Sequence, residues 1–475
     1  MSWIVMVYLF SLSCVLFHGK VHEAEERNGF KFDNQDWGYV TVRPSAHMFW
    51  WLYYVNPPNK FVDYNVFDKP LVIWLQGGPG SPSTGFGNFE EIGPIDVKGQ
   101  PRNHTWVNDY NILFIDNPVG TGFSYVDDDS KYATDNHQIA QDLISCIDGF
   151  FAKIPEFRKV PTYIVGESYG GKMAAEFALL WYKHQRNGRI ISNLKGVAFG
   201  DSWISPITSV RSWAPFLLSM GMIDYEDHEK IQNEIQHLMD LVAKQKWSNA
   251  LSLWRFITGE IVEVTGGIDF YNILKRVNVR KSSIPEDFSS LQNFMNDHVR
   301  NALKLNVTWH PRNLKVKQNL INDYMKPVTE IVTELLDKTD LKVVVYNGQL
   351  DLIVPTIGTL AWIKNLKWQY IENWKAAKRI PIINNDIIEG YVKGFQNFKM
   401  YWINRAGHFV PEENPIATHK MMKDLTSEIE LLEKNIENAA DDNDEEFMLY
   451  VCRVFYTNAF ETAAVIDNST SIILR

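Results

Sequence analysis

Gly166-Glu167-Ser168-Tyr169-Gly170 sets a serine between small residues, directly after an apolar run (Thr162 to Val165) and directly before a helical pattern (Lys172 to His184). A serine on such a strand-to-helix turn is pushed out of the backbone, and the helix N-terminus behind it favours the negative charge of acyl transfer. A hydroxyl nucleophile needs a base, and the base needs an orienting acid. Of the twelve histidines only His408 lies in a Gly-flanked loop after an apolar run, in Arg405-Ala406-Gly407-His408-Phe409-Val410-Pro411. Asp351 ends Tyr346-Asn347-Gly348-Gln349-Leu350-Asp351, just past another such run. The developing oxyanion needs backbone N–H donors with little side chain in the way. The loop Trp74-Leu75-Gln76-Gly77-Gly78-Pro79-Gly80 supplies a Gly pair after a strand, and the amide of Tyr169, next to the nucleophile, is the second donor.

The same stretch, Gly166 to Lys172, also spells a phosphate-cradling loop, but Met173 stands where that loop needs a Ser or Thr for magnesium, and Glu167 would repel a phosphate. Ser168, Asp351 and His408 follow the serine, acid, histidine order of the α/β-hydrolase fold.

Positioning such groups takes a sheet. Leu71 to Leu75, Ile112 to Ile115, Tyr163 to Val165, Val343 to Tyr346 and Met400 to Ile403 are short apolar runs that end in Gly-rich or Pro-containing turns. Interleaved with helical patterns, they predict an α/β fold with a mostly parallel central sheet and ligands at the strand ends. Cys146 falls in the helical spacing of Ile139, Leu143, Ile147 and Phe150, as a buried, inert thiol. Between 205 and 326 the texture changes: Ile231, Ile235, Leu238 and Val242 recur at helical spacing without strand signals, which predicts a helical insertion or cap. The aromatic run Phe49 to Tyr54 reads as sheet core.

The expected organisation is a signal peptide (1–22), a first core part (23–204), the insertion (205–326), a second core part (327–440) and an acidic, unassigned tail (441–475). The apolar stretch Trp3 to Phe17 is shorter than the roughly 20 residues of a membrane span and fits a secretory signal. Asn-x-Ser/Thr sites at Asn103, Asn306 and Asn468 fit glycosylation on that route. The 475 residues carry a net charge of −10, which argues against nucleic-acid binding. Three cysteines, Cys14, Cys146 and Cys452, allow neither a disulfide framework nor a cysteine zinc cluster, and no His-Glu-x-x-His or dinucleotide fingerprint occurs, so no cofactor or metal is expected.

Trp74 to Gly80, Phe89-Glu90-Glu91-Ile92-Gly93-Pro94, Asp116 to Tyr125, Gly166 to Gly171 and Ala406 to Pro411 together resemble the serine carboxypeptidases, over roughly residues 38 to 432. Gln76 and the segment Gly200-Asp201-Ser202-Trp203-Ile204-Ser205-Pro206 are most similar to the retinoid-inducible branch. The resemblance implies an α/β-hydrolase core with a helical insertion, and removal of C-terminal residues from peptides at acidic pH. It implies Ser168 as nucleophile, Asp351 as acid, His408 as base, the Gly78 and Tyr169 amides as oxyanion hole, and Gln76, Glu91 and Glu167 as holders of the substrate's terminal carboxylate. A protonated Glu donates to a carboxylate where an ionised one repels it. Two features depart from the pattern: Gln76 stands where most members have Asn, and Ser81 where Cys is usual, so the family's disulfides cannot form here. The expected partners are peptides or proteins with a free C-terminus, with no membrane span once the signal is removed. Oligomeric state is open. An acyltransferase on the same scaffold, or a binding protein that keeps the fold, are the competing readings.

Overall fold

Strands built from these apolar runs bring Gln76, Gly78, Ser168, Asp351 and His408 to one edge of a sheet. The computed structural model describes residues 34–57, 64–277 and 288–427; the signal-like start, the acidic tail, Asn468 and the helical pattern beyond 427 lie outside them. Six parallel strands form the centre: β3 (Leu71–Leu75), β4 (Asn111–Ile115), β6 (Thr162–Glu167), β7 (Leu194–Gly200), β8 (Lys342–Gly348) and β11 (Phe398–Ile403). Covered on both faces, they read as unbroken apolar runs, and every residue of β3, β4 and β6 is buried. Antiparallel strands β1 (Gln35–Arg43) and β2 (Ala46–Tyr53) extend the sheet beyond β4, with the short β5 (Tyr125–Val126) paired to β2. On the far side the hairpin β9 (Ile380–Asn384) and β10 (Ile387–Phe395) completes an eleven-stranded sheet in the order β1-β2-β4-β3-β6-β7-β8-β11-β10-β9, with β5 off that path.

The parallel register aligns the strand ends. Leu75 lies opposite Gly166, Glu167 opposite Gly200, Gly200 opposite Tyr346, and Gly348 opposite Ile403. The loops that carry Gln76 to Gly78, Ser168, Asp201, Asp351 and His408 therefore leave the sheet at its carboxyl edge, where ligands collect in such folds.

Helix α1 (Asn136–Lys153) buries Ile139, Leu143, Cys146, Ile147, Phe150 and Phe151, and Asp135 caps it by accepting from the Gln138 amide at 2.8 Å. Cys146 is the sole cysteine among the described residues, fully buried and unpaired. Helix α2 (Tyr169–Arg186) starts immediately after Ser168. Between β7 and β8 the described chain is helical apart from one isolated bridge, Ile268 to Arg276. Its longest pieces are α3 (Tyr225–Ala243), which buries Ile231, Ile235 and Leu238, and α4 (Trp247–Val264). Burying such side chains contributes roughly 1.5–3 kcal/mol each. By compactness the chain divides at Met421; of the second unit only residues 422–427 are described, and they lie in or just past the helix Pro415–Thr426. Among the described residues no helix is long and apolar enough to cross a membrane.

Candidate active site

Ser168 holds φ 59°, ψ −125° between β6 and α2, a left-handed backbone that few non-glycine residues adopt and that is kept only where surroundings enforce it. The Ser168 amide donates to Gly200 O at 2.9 Å, and Ser168 O accepts from the Gly171 and Trp203 amides. Glycine at two neighbours is a steric demand: a Cβ on Gly166 would lie 2.4 Å from Gly170 O, and one on Gly170 would lie 2.0 Å from Leu75 O. The elbow is thereby pressed against the loop after β3. Gly77 in that loop stands over the serine, since a Cβ there would meet Ser168 Cβ at 2.6 Å, and Gly78 takes φ +109°.

His408 Nδ1 lies 2.8 Å from Asp351 Oδ2, with both side chains buried. A carboxylate only accepts, so Nδ1 carries the proton and leaves Nε2 as a base. The His408 amide donates to Tyr271 O at 2.7 Å, and Asp351 Oδ1 accepts from the Val354 amide at 3.2 Å. A Cβ on Gly348 would meet Gly407 O at 1.9 Å, so the acid and histidine loops also pack backbone against backbone.

Gln76 lies between two buried acids. Its Nε2 donates to Glu167 Oε1 at 2.7 Å and to Glu91 Oε1 at 3.2 Å, while its Oε1 accepts from Trp74 Nε1 at 2.6 Å. Because an indole nitrogen can only donate, Trp74 fixes which end of the amide faces the acids. The longer Gln side chain thus still turns its NH₂ toward the carboxyl pair. Burial pushes Glu91 up to about 7. Burial first, and then the adjacent Glu91, drive Glu167 well above the ordinary carboxylate range. Glu167 therefore holds a proton shared with Glu91. Among the described residues no N–H or other hydroxyl donates to Glu167 Oε2 or Glu91 Oε2.

These groups meet in one cavity of about 130 Å³, lined by Gln76, Gly77, Gly78, Glu167, Ser168 and His408. Glu91 stands behind Gln76, outside that lining. Residues that motif reading did not single out form the other walls: Trp254, Phe270 and Tyr271, and Arg312, Lys317 and Tyr324 from the segment before β8. They lie in the stretch read only as a helical texture, with no local motif to mark them. Asp201, in the Gly200 to Pro206 segment just past β7, comes up beside Asp351 and His408. Lys172, the lysine of the phosphate-loop alternative, is fully buried, with Nζ 2.6 Å from Asp323 Oδ2 and bonded to the Asp323 and Lys326 carbonyls, turned away from any phosphate. Asn103 and Asn306 are exposed.

Both members of the Glu91–Glu167 pair hold protons more tightly when folded than when unfolded. The folded state then carries the excess of protons, and stability is lost as pH rises from about 4.5 through about 7. Thermal melts are expected to give a higher Tm at pH 5 than at pH 7.5; the reverse order would contradict the assignment of this pair as a proton store.

A model of the serine carboxypeptidase family matches residues 26–428. Retinoid-inducible serine carboxypeptidase of Mus musculus is 42% identical over 419 residues, covering 82% of this chain and 91% of that one. Serine carboxypeptidase-like 51 of Arabidopsis thaliana is 34% identical over 437 residues, covering 84% and 93%. Among solved structures, a prohormone-processing carboxypeptidase from Saccharomyces cerevisiae shares the fold with a TM-score of 0.72 at 23% identity, covering 86% of this chain and 93% of its own. With a family model spanning the whole described region and relatives at this identity, the α/β-hydrolase architecture expected from the order of Ser168, Asp351 and His408 is in place, and the chain belongs to the serine carboxypeptidase family.

Proposed function

We propose that the protein is a serine-type carboxypeptidase that removes C-terminal residues from peptides at acidic pH through an acyl-enzyme. Ser168 attacks the last peptide carbonyl, His408 Nε2 takes its proton and passes it to the leaving amino acid, and Asp351 stabilises the imidazolium. The amides of Gly78 and Tyr169 receive the oxyanion. Water then enters by the same base and releases the shortened peptide. Gln76, Glu91 and Glu167 hold the substrate's terminal carboxylate, with the Glu167 proton available to donate to it.

The observation that carries this reading is the buried Gln76–Glu91–Glu167 cluster opening into the cavity of Ser168 and His408. An enzyme cutting inside chains has no use for a protonated carboxyl there, and a terminal carboxylate does. Above about pH 7 Glu91 ionises and the pair turns against an anion, so KM is expected to rise on the alkaline side.

The test compares N-blocked dipeptides bearing a free C-terminal carboxylate with the same peptides amidated, at pH 5 and 7.5. Loss of a hydrogen bond to a charged group costs about 1.5–3 kcal/mol, so amidation should lower kcat/KM at pH 5 by roughly 10- to 100-fold. Equal cleavage of both would remove the carboxypeptidase reading. Absence of hydrolysis, with transfer to an added alcohol or amine, would favour an acyltransferase, and Ser168 inert to a fluorophosphonate would favour a binding protein.

The walls given by Trp254, Arg312, Lys317 and Tyr324 support the 205–326 segment as a cap over the site, between core parts at 23–204 and 327–440. The signal-like start, together with exposure of Asn103 and Asn306, supports passage through the secretory pathway to lysosome or exterior.

A further inference from the structure

Asp201 is a fully buried carboxyl at the end of β7 that the mechanism above does not use. It takes φ +41°, an uncommon backbone for a residue with a side chain, and its amide donates to Tyr346 O at 2.9 Å. Its two oxygens have different surroundings. Oδ1 accepts from the Gly348 amide and from Asn347 Nδ2, each at 2.8 Å. Oδ2 is buried and, among the described residues, receives no N–H or O–H. The Asn347 amide cannot turn to serve it, because Nδ2 also donates to Val354 O at 2.8 Å and Oδ1 accepts from Thr359.

The Asp201 carboxyl lies beside the triad, and with Oδ1 saturated the oxygen left for it is Oδ2. One ligand atom each of Asp201, Asp351 and His408 lies within 4.8 Å of the others, and the Asp351 carboxyl is in hydrogen-bond reach of Asp201. Asp351 serves His408 as an anion, and a second anionic carboxylate packed against it in a buried site is strongly unfavourable. The pattern of one oxygen saturated by donors and one with none is that of a carboxylic acid, C=O at Oδ1 and O–H at Oδ2. The titratable groups facing it agree: Asp351, Glu413 and Glu167 are acids, Tyr346 is a neutral phenol, and His408 is already bonded to Asp351. Burial first, and Asp351 second, hold the Asp201 carboxyl well above its usual range.

We propose that Asp201 is a positioning residue whose Oδ2 hydroxyl donates a hydrogen bond to the Asp351 carboxylate, fixing that carboxylate for His408. Among the described residues the Asp351 carboxylate is otherwise held by the Val354 amide and His408. The inference rests on Ser168, Asp351 and His408 being the catalytic trio. It adds an acid-dependent control of turnover beside the control of substrate binding by Glu91 and Glu167, with Glu167 close enough to feel the charge of Asp201. When Asp201 ionises, the donor is lost and a second negative charge lies beside Asp351, so kcat falls at alkaline pH.

The test is the pH profile of kcat, at saturating N-blocked dipeptide, for the parent, D201N, D201L and a Ser168→Ala control. D201N puts an NH₂ where Oδ2 was and keeps the donor at every pH. It should hold kcat within about threefold of the parent at pH 5 and extend activity to higher pH. D201L offers no donor, and kcat should fall about 10- to 100-fold while KM changes less than about threefold. Since Leu also strands the Gly348 and Asn347 amides, melting is measured alongside; if D201L does not fold, the D201N profile decides. An alkaline limb unchanged in D201N, or a folded D201L with parental kcat, overturns the proposal. If release in the parent does not depend on Ser168, the trio reading fails and takes this inference with it, whereas Ser168-dependent release with parent-like Asp201 variants overturns this inference alone.

Discussion

Replacing Ser168 with Ala is expected to lower kcat for dipeptide hydrolysis by roughly 10⁶-fold, and adding His408→Ala should lower it little further. The two residues act as one device: a base without a nucleophile activates nothing, and an unactivated hydroxyl is a poor nucleophile. What remains is the rate given by substrate binding and by the proposed oxyanion donors, the amides of Gly78 and Tyr169, about 10³- to 10⁴-fold above water. Asp351→Asn should cost less than either, about 10⁴-fold, because His408 keeps its place but is held in the wrong tautomer. The three variants and the double are compared at pH 5 with active-site titration of the parent. Losses that multiply between Ser168→Ala and His408→Ala would mean that the two side chains serve separate steps, and the 2.8 Å Asp351–His408 contact would need another purpose.

The second large effect is on stability. Lys172 on α2 and Asp323 from the segment before β8 form an ion pair at 2.6 Å with both side chains buried, and Tyr169 Oη donates to the same carboxylate oxygen at 2.7 Å. Burial pulls the Lys172 ammonium below its ordinary range, with Asp323 opposing it. Lys172→Ala leaves Asp323 buried and uncompensated, and about 3–5 kcal/mol of stability should be lost. Lys172→Met together with Asp323→Leu should cost far less than Lys172→Ala, since a matched apolar pair leaves no stranded charge. Urea unfolding of the three proteins measures this; a Lys172→Ala protein within 1 kcal/mol of the parent would show the pair to be solvated in solution. The residue carrying the second proposed oxyanion amide is Tyr169, so Asp323→Ala should also depress kcat more than KM, a split that plain destabilisation would not produce.

Local chemistry was readable from the sequence and long-range pairing was not. Leu71 to Leu75 became β3 without change, and the run before Ser168 became β6, extended by two residues to Glu167. The elbow, the Gly-flanked histidine and the Gly pair after β3 were legible because turns demand particular residues at particular backbone angles, as the clashes at Gly166 and Gly170 show. Strand β7, with Gly196 and Gly200 in seven residues, carries weak strand propensity and takes its form from β6 and β8 on either side. The hairpin β9–β10 leaves Ile380, Ile383, Ile387 and Ile388 exposed, so the alternation that marks a half-buried strand is blurred. Asp201 meets Asp351 across 150 positions and Lys172 meets Asp323 across 151. Such contacts follow from sheet order, and nothing in their own neighbourhoods announces them.

Cys146, enclosed by α1 and the sheet, has a consequence for how this protein is handled. The segment before β8 is joined to the loop of Ser81 by the Asn313 amide, which donates to Gly80 O, and to the loop after β4 by Asn313 Nδ2, which donates to Gly120 O, all without sulfur. Residues 34–427 therefore reach their native form by contacts that make and break freely, with no oxidative step among them. A dithiol reductant should leave the melting curve of this region where it was, and folding of the core should proceed as well in a reducing bacterial cytosol as in an oxidising compartment.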